Sequence, residues 1–229
     1  MANKLTEIVF IIDNSGSMYS LIGDTIGGFN GFVKKQREQE GDALLTTVLF
    51  NTTHKTLHDR MNIREVEDMT TEQYKTGGGT ALLDAIGDTI ESVQTRIDDT
   101  TVLKRPDGVI CVIITDGEEN SSVKFKKDQI KKMIEHQQKG HGWEFIFLGA
   151  SMDAVQDARS YGIAAANSVT YAANSIGTAT AYNCVDKAVS SYRIDGAVDC
   201  LWAADIDGLS SCSSGGCVTG TVTTTNIVQ

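Results

Sequence analysis

The sequence predicts an α/β fold, with a doubly wound and mostly parallel central sheet, one antiparallel edge strand, helices on both faces and a C-terminal appendage. Apolar runs at residues 8–12, 109–115 and 143–148 alternate with segments of helical periodicity, which is the pattern of a parallel sheet covered by helices. The polar segment 51–54 is typical of a hairpin turn, so the strand after it is expected to run antiparallel at a sheet edge. Residues 196–229 differ in composition from the chain before them.

The individual elements follow from local patterns. Strands are expected at residues 5–12, 44–50, 55–61, 109–115 and 143–148. Apolar residues at helical spacing, such as Leu83, Ile86 and Ile90, mark the helices. Helices are expected at residues 19–39, 81–97, 123–139, 152–160 and 175–192.

Two local patterns lead to purely structural expectations. Gly23, Gly27 and Gly31 share one face of the first helix. Because glycine weakens a helix, these residues predict a close approach of the helix backbone to the sheet. His54 and His58 fall on the polar hairpin and are expected to be solvated residues of the sheet edge.

Composition limits the classes of function. The chain has 229 residues, of which 41% are hydrophobic, and this is ample for a sizeable core. The net charge of −10 argues against nucleic-acid binding, which needs a basic surface. No apolar run is long enough to span a membrane, and no signal peptide precedes the first strand, so a cytoplasmic location is expected. The five cysteines lack zinc-type spacing, and Cys111 is expected to be a small buried hydrophobe.

The first candidate functional residues lie directly after the first strand. Asp13, Ser15 and Ser17 follow the apolar run 8–12 at a spacing of two, and Gly16 allows a tight turn between them. In open α/β sheets, ligands bind at the carboxyl ends of the strands. Hard oxygen ligands on a tight loop suit Mg²⁺ or Mn²⁺, and for Mg²⁺ the metal–oxygen distance is about 2.0–2.1 Å. The alternative interpretation is an Asp/Ser turn that caps a helix.

Two later stretches supply further oxygen ligands. Residues 77–79 are three glycines, and Thr80 follows them at the start of a predicted helix. The strand 109–115 leads into Asp116, which is a second carboxylate at a strand end. Because Asp13 and Asp116 both end central strands of the sheet, the two carboxylates are expected to face the same crevice.

Together these residues resemble the metal-ion-dependent adhesion site (MIDAS) of von Willebrand factor type A (vWA) domains, the family that includes integrin I domains. The matching residues, in chain order, are Asp13, Ser15, Ser17, Thr80 and Asp116. The resemblance covers about residues 5–160 and implies a Rossmann-like vWA domain over residues 1–195. It also implies that Mg²⁺ or Mn²⁺ is held mainly by the three hydroxyls, while the two carboxylates act directly or through bound water. In that family, an Asp or Glu of a protein partner completes the metal shell.

The predicted function is therefore a divalent-metal-dependent protein-binding module rather than an enzyme. The enzyme alternative is a metal-dependent phosphohydrolase of the haloacid dehalogenase type, which also places an Asp after its first strand. Such an enzyme needs a second carboxylate two residues later as the acid–base group, and this chain has Ser15 at that position.

Residues 196–229 form the predicted appendage, which is acidic at first and then rich in Ser, Thr, Gly and Cys. Three interpretations stay open. The segment is a small β appendage or a disordered end, or it carries a redox or metal site at Cys200, Cys212 and Cys217. In the third, the vWA domain is a carrier or scaffold that presents the segment for modification, because its composition resembles the core of ribosomally made peptides that receive thioether rings.

Overall fold

The computed structural model describes residues 4–207, and in these residues the strands form a six-stranded sheet. The strands are Leu5–Asp13 (β1), Asp42–Phe50 (β2), His54–Asn62 (β3), Gly108–Thr115 (β4), Glu144–Gly149 (β5) and Ser168–Thr170 (β6). Their order in the sheet is β3-β2-β1-β4-β5-β6. The edge strand β3 is antiparallel to β2, and the other neighbouring pairs are parallel. The predicted sheet, with its antiparallel edge strand, is confirmed.

Helices cover both faces of this sheet. They are Ile22–Glu38 (α1), Leu82–Asp99 (α2), Lys127–His141 (α3), Ala154–Ser160 (α4), Ser175–Asp195 (α5) and Ala204–Asp207 (α6). In β1, Ile8, Phe10 and Ile12 pack in the layer that contains α1 and α5. Val9 and Ile11 pack in the opposite layer, which contains α2 and α3. Because strand residues alternate between faces, an all-apolar strand contributes side chains to both core layers. The prediction of a doubly wound fold is confirmed.

Two of the differences between the structure and the predicted elements have a clear physical reason. The strand β6 was not predicted, because its three residues are too few to establish a periodicity. The helix α3 begins at Lys127 rather than at residue 123. The reason is that the backbone N–H groups of residues 123–125 donate hydrogen bonds of 2.8–2.9 Å to the carboxylate of Asp84 in α2, which holds them outside the helix.

The glycine prediction for the first helix was wrong. Among the described residues, and apart from the chain neighbours and the helix's own backbone, no heavy atom lies within 4 Å of the position that a Cβ would take at Gly23, Gly27 or Gly31. These glycines line an open groove of about 310 Å³ between α1 and α5. The close approach occurs instead at Gly28, where a Cβ would lie 2.3 Å from a ring carbon of Tyr182 in α5. The glycine that packing requires therefore faces a helix rather than the sheet.

The prediction for the two histidines was correct for one of them. His54 is exposed at the start of β3, with its Nε2 atom 3.7 Å from a carboxylate oxygen of Asp88. His58 is buried, its Nδ1 atom lies 3.0 Å from Thr47 Oγ1, and its ring stacks on that of Phe29. Burial lowers the pKa of His58. The polar sequence of the hairpin gave no sign of this burial, which arises because α1 covers one face of the edge strand.

After α5 the chain packs back onto the core. Trp202 and Ile206 are buried in the same core layer as α5, and Trp202 Nε1 donates a hydrogen bond of 2.8 Å to the backbone oxygen of Ala166. The domain bounds of 1–195 and 196–229 stay a prediction. The first part of the predicted appendage, up to Ile206, nevertheless contributes buried apolar surface to the domain.

The expectation for Cys111 is confirmed. Cys111 is fully buried in β4, and this burial raises the pKa of its thiol. Cys212 and Cys217, with the Ser/Thr-rich stretch around them, lie outside the described residues. Between residues 4 and 207, no helix combines the length and apolar character needed to cross a bilayer.

Two truncations separate the packed part of the appendage from the rest. Removal of residues 208–229 is expected to leave the melting temperature unchanged, because residues 4–207 complete both core layers. Removal of residues 197–229 also deletes Trp202 and Ile206, and it is expected to lower the free energy of unfolding by about 3 kcal/mol or more, since truncating a single buried Trp costs about 3–5 kcal/mol. Thermal and urea unfolding of both truncated chains and the full chain measure the difference. Equal stability of the two truncated chains would contradict the packing.

Candidate metal centre

The first loop of the candidate site is held against the end of β1. Asp13 is the last residue of β1 and is fully buried, and its Oδ1 atom accepts a hydrogen bond of 2.7 Å from the Ser15 N–H. Gly16 begins a 3-10 helix that precedes α1, and its N–H donates to the backbone oxygen of Gly78 at 3.1 Å. Ser15 is buried, whereas Ser17 is exposed. The loop therefore leads from a buried carboxylate to a hydroxyl at the surface.

The glycine loop, residues 77–79, requires glycine for two reasons. Gly78 has a φ of +74°, which is in the left-handed region, and a Cβ there would lie 2.6 Å from Thr52 Oγ1. The N–H of Gly79 donates a hydrogen bond of 2.8 Å to the same Thr52 oxygen. Thr80 follows directly and is buried. The closely packed loop thus determines where the Thr80 hydroxyl lies.

The third loop follows β4 and joins the first. The Ser17 hydroxyl donates a hydrogen bond of 2.6 Å to Asp116 Oδ1. The Oγ atoms of Ser15 and Ser17 are 3.0 Å apart. Asp116 is partly exposed, so the contact between the two loops is open to solvent on one side.

Gly117 lies at the point where the site residues converge. It has no side chain, and a Cβ at this position would fall among the oxygen atoms of three site residues. The distances would be 3.1 Å to Thr80 Oγ1, 3.5 Å to Ser17 Oγ and 3.8 Å to Asp13 Oδ2. Ser15 and Asp116 both contact Ser17, so the structure brings all five predicted site residues together. These residues are Asp13, Ser15, Ser17, Thr80 and Asp116.

Neither carboxylate of this cluster is paired with a cationic side chain of the described residues. Among residues 4–207, no Lys, Arg or His forms an ion pair with Asp13 or Asp116. Burial raises the pKa of Asp13 despite hydrogen bonds from Thr115 and Ser15, and the nearby charge of Asp116 adds to the increase. Burial also raises the pKa of Asp116. Ionisation of both groups is therefore disfavoured unless positive charge is added.

The cluster is rich in hydroxyls rather than in strongly basic ligands. The described residues contain no group of three or more His, Cys, Asp or Glu side chains placed to hold a metal. The five residues brought together here offer two carboxylates and three hydroxyls. All of these donors are hard oxygen atoms, which favour Mg²⁺ and Mn²⁺ over softer metals.

Sequence analysis missed two residues that hold Asp13 in place. Thr115 Oγ1 donates a hydrogen bond of 2.6 Å to Asp13 Oδ2. The hydroxyl of Tyr74 donates one of 2.5 Å to the backbone oxygen of Asp13. The role of Thr115 could have been suspected from the sequence, because it is a polar residue at the end of an otherwise apolar strand. No local signal marks Tyr74, which is buried in the connection before the glycine loop.

Side-chain carboxylates and amides fasten the third loop to the start of α2. Asn120 Oδ1 accepts a hydrogen bond of 2.9 Å from the Thr80 N–H, and Glu119 Oε2 accepts one of 2.9 Å from the Leu83 N–H. In the opposite direction, Asp84 accepts from the backbone of residues 123–125. Burial alone would raise the pKa of Asp84, but these backbone hydrogen bonds outweigh it and hold the pKa below its usual value. The glycine loop and the third loop therefore form one connected unit.

Comparisons with known proteins identify the fold. A von Willebrand factor type A structure from Catenulispora acidiphila is 14% identical, covers 82% of this chain and 43% of its own chain, and has a TM-score of 0.59. The proximal thread matrix protein 1 of the mussel byssus, with a zinc-occupied MIDAS motif, is 15% identical with a TM-score of 0.57, over 81% of this chain and 48% of its own. No family model matches the chain. A search of curated proteins finds no significant match.

These similarities establish the architecture. The chain has the von Willebrand factor type A fold, as the sequence predicted. It spans less than half the length of each of the two solved chains described above.

The raised pKa values predict how the metal-free protein responds to pH. The folded state holds protons on Asp13 and Asp116 more tightly than the unfolded chain does. Their contribution to stability is therefore full below the usual Asp pKa of about 3.9 and is lost as the pH rises through the raised folded-state values. Asp116→Asn removes one of these groups, so stability is expected to fall less steeply with rising pH than in the wild type. Urea unfolding in metal-free buffer across this range measures the two slopes.

The control for this experiment is Asp153→Asn, which changes an exposed carboxylate outside the cluster. Its slope is expected to match that of the wild type. If Asp116→Asn also kept the wild-type slope, ionised Asp116 would not be destabilising the metal-free folded state.

Proposed function

We propose that this chain is a divalent-metal-dependent protein-binding module. The proposed ligand set is Asp13, Ser15, Ser17, Thr80 and Asp116. The observation that carries the proposal is the convergence of Asp13, Ser17 and Thr80 oxygen atoms around Gly117, while Ser15 and Asp116 contact Ser17. Asp13 and Asp116 have raised pKa values, and neither has a cationic partner among the described residues. A cation bound beside two such carboxylates would stabilise the folded state.

The proposed cation is Mg²⁺ or Mn²⁺. The donor set is all oxygen, and metals of this class are bound by a few carboxylate and hydroxyl oxygens together with water. The similarity in fold to a mussel protein with a zinc-occupied MIDAS motif supports a divalent ion at this place. In this assignment the hydroxyls of Ser15, Ser17 and Thr80 hold the ion, and Asp13 and Asp116 act directly or through water.

The binding role follows from the charge of such a centre. When the three hydroxyls are the direct ligands and the two carboxylates act through water, a divalent cation keeps much of its positive charge, which favours an added carboxylate. Ser17 and Asp116 are accessible at the surface, so an Asp or Glu of another protein has a route to the ion. The net charge of −10 makes a nucleic-acid partner a poor fit. The cytoplasmic location is part of the proposal and rests on the sequence.

The proposal excludes phosphohydrolase chemistry. That chemistry requires an acid–base carboxylate two residues after Asp13, and Ser15 at this position is buried and within 3.0 Å of another serine hydroxyl. Glu119, on the loop that follows Asp116, is occupied by backbone hydrogen bonds from Leu83, Ser121 and Ser122. The cluster therefore supports ion and partner binding rather than proton transfer.

Substitution of the carboxylates tests the proposal. Asp13→Ala and Asp116→Ala are each expected to weaken Mg²⁺ binding by about 10–100-fold or more, because even an outer-shell partner of a ligand is worth that factor. Thr80→Ala is expected to act more mildly, since water can replace a hydroxyl. Calorimetric titration with Mg²⁺ and Mn²⁺, and melting with and without chelator, measure the effect. At an ion concentration about 100 times the Kd, the wild type should gain about 2.7 kcal/mol of stability.

A matched pair of serines controls for general effects of substitution. Ser17→Ala removes a proposed ligand, whereas Ser20→Ala removes an exposed hydroxyl from the same 3-10 helix, outside the cluster. Only the first is expected to weaken metal binding. If the wild type shows no change in melting with millimolar Mg²⁺ or Mn²⁺, the proposed metal site is wrong.

A further inference from the structure

A groove lies on the surface between the helices α2 and α3. It has a volume of about 540 Å³ and is lined by four residues of each helix. They are Ile90, Glu91, Gln94 and Thr95 of α2, with Lys132, Met133, His136 and Gln137 of α3. We call this cavity the α2–α3 groove. Small-molecule sites in proteins usually have volumes of about 300–1,000 Å³, so the groove is large enough for such a ligand.

The floor of the α2–α3 groove is apolar. Ile90 is 2% exposed and belongs to the core layer that contains α2 and α3. Met133 is partly buried and packs against the same layer. A hydrocarbon group placed on this floor would remove apolar surface of both molecules from water, which favours binding.

Two glutamine side chains of the groove carry oxygen atoms without a hydrogen-bond partner. The Oε1 atoms of Gln94 and Gln137 are both buried, and neither accepts a hydrogen bond within the part of the chain that the structure describes. Gln137 as a whole is only 5% exposed. Because the last torsion of a glutamine side chain is broad, its amide can turn toward a molecule in the groove. A buried acceptor without a partner costs free energy, and a ligand N–H would recover it.

The charged residues of the groove leave one cation unpaired. The carboxylate of Glu91 forms an ion pair with Lys124 at 3.3 Å. Lys132 is exposed and takes part in no ion pair among residues 4–207. The α2–α3 groove therefore offers two oxygen acceptors and one ammonium donor beside an apolar floor.

We propose that the α2–α3 groove binds a small molecule that carries a neutral primary carboxamide on an apolar ring. The NH₂ group of a carboxamide has two donors, which match the oxygens of Gln94 and Gln137, and its carbonyl oxygen accepts from the Lys132 ammonium. The ring lies on Ile90 and Met133. This site does not depend on the proposed metal centre, because none of the proposed metal ligands lines the groove.

Other ligands of similar size match the groove less well. A carboxylate has no hydrogen to donate, so its oxygens would face the two glutamine acceptors without forming a hydrogen bond. An amidinium donates to both glutamines, but it brings a second positive charge beside Lys132. An Asn or Gln side chain of a partner protein has the right head group but little apolar surface to cover the floor. The neutral carboxamide on a ring satisfies all three features.

Four probes test this chemistry on the full chain in metal-free buffer. Benzamide carries the neutral head group, benzoate and benzamidinium carry charged head groups on the same ring, and acetamide keeps the head group without the ring. Titrations are followed by the backbone amide NMR signals of the residues that line the groove. Benzamide is expected to bind at least about fivefold more tightly than each of the other three.

Three results of these titrations would overturn the proposal. The first is the absence of saturable shifts with benzamide, and the second is a charged probe that binds as tightly as benzamide. The third is acetamide binding as tightly as benzamide, because the groove would then suit a side chain of a partner protein. Since no metal is present, none of these results bears on the proposed metal-dependent function.

Substitution of Gln137 tests whether its oxygen is the acceptor. Gln137→Met keeps the length of the side chain and removes the amide, so benzamide binding is expected to weaken about fivefold. The same change should leave the free energy of unfolding unchanged or higher, because it replaces a buried acceptor that has no partner. Gln138→Met changes the neighbouring glutamine, which does not line the groove, and should leave benzamide binding unchanged. NMR titration and urea unfolding measure the two effects.

Two further variants change residues that are not fully buried, so the fold is expected to survive. Gln94→Met should weaken benzamide binding in the same way as Gln137→Met. Lys132→Met should also weaken benzamide binding, and it should strengthen the binding of benzamidinium by removing the neighbouring charge. Wild-type affinity for benzamide in all three groove variants would overturn the proposal. A lower stability of Gln137→Met would also contradict it, because the oxygen would then have a partner in the free protein.

Discussion

Asp13 and Asp116 are forced together because β1 and β4 are adjacent parallel strands, with Ile12 paired to Ile114 just before the two carboxylates. Burial raises the pKa of each carboxylate, and the charge of Asp116 adds to the increase for Asp13. Several neighbouring groups accommodate the two closely placed carboxylates. Hydroxyl donors from Thr115 and Ser17 approach the carboxylates directly, while the missing side chain at Gly117 leaves space beside them. A cation in that space would satisfy the charge that the protein leaves uncompensated.

The position of Thr80 depends on contacts that lie outside the cluster. The left-handed backbone of Gly78 and its close approach to Thr52 determine the course of the glycine loop. Asn120 then fixes the Thr80 N–H from the side of the third loop. Because each loop of the site is held by another, the site is a property of three connections between strands and helices rather than of one motif. Residues far apart in sequence are therefore held together by contacts between loops.

The sequence predicted the parts of the fold that depend on strong periodicity. Continuous apolar runs identified β1 and β4 because both are buried on two faces, and the residues after them led to the candidate site. The parts that were missed depend on contacts between distant segments. Three residues of β6 carry no pattern, Asp84 removes residues 123–125 from α3, and Phe29 buries His58 on a polar hairpin. Tyr74 supports Asp13 from a connection whose local sequence gives no sign of that contact.

The two tryptophans of the chain lie on opposite sides of the sheet. Trp143 packs in the layer with α2 and α3, and Trp202 packs in the layer with α1 and α5. Each is therefore an intrinsic fluorophore for one half of the core. Single-tryptophan versions of the protein can follow the two halves separately during refolding. Coincident fluorescence signals would mean that the sheet and both helical layers form in one cooperative step, whereas a delayed Trp202 signal would mean that the C-terminal segment docks onto a layer that is already formed.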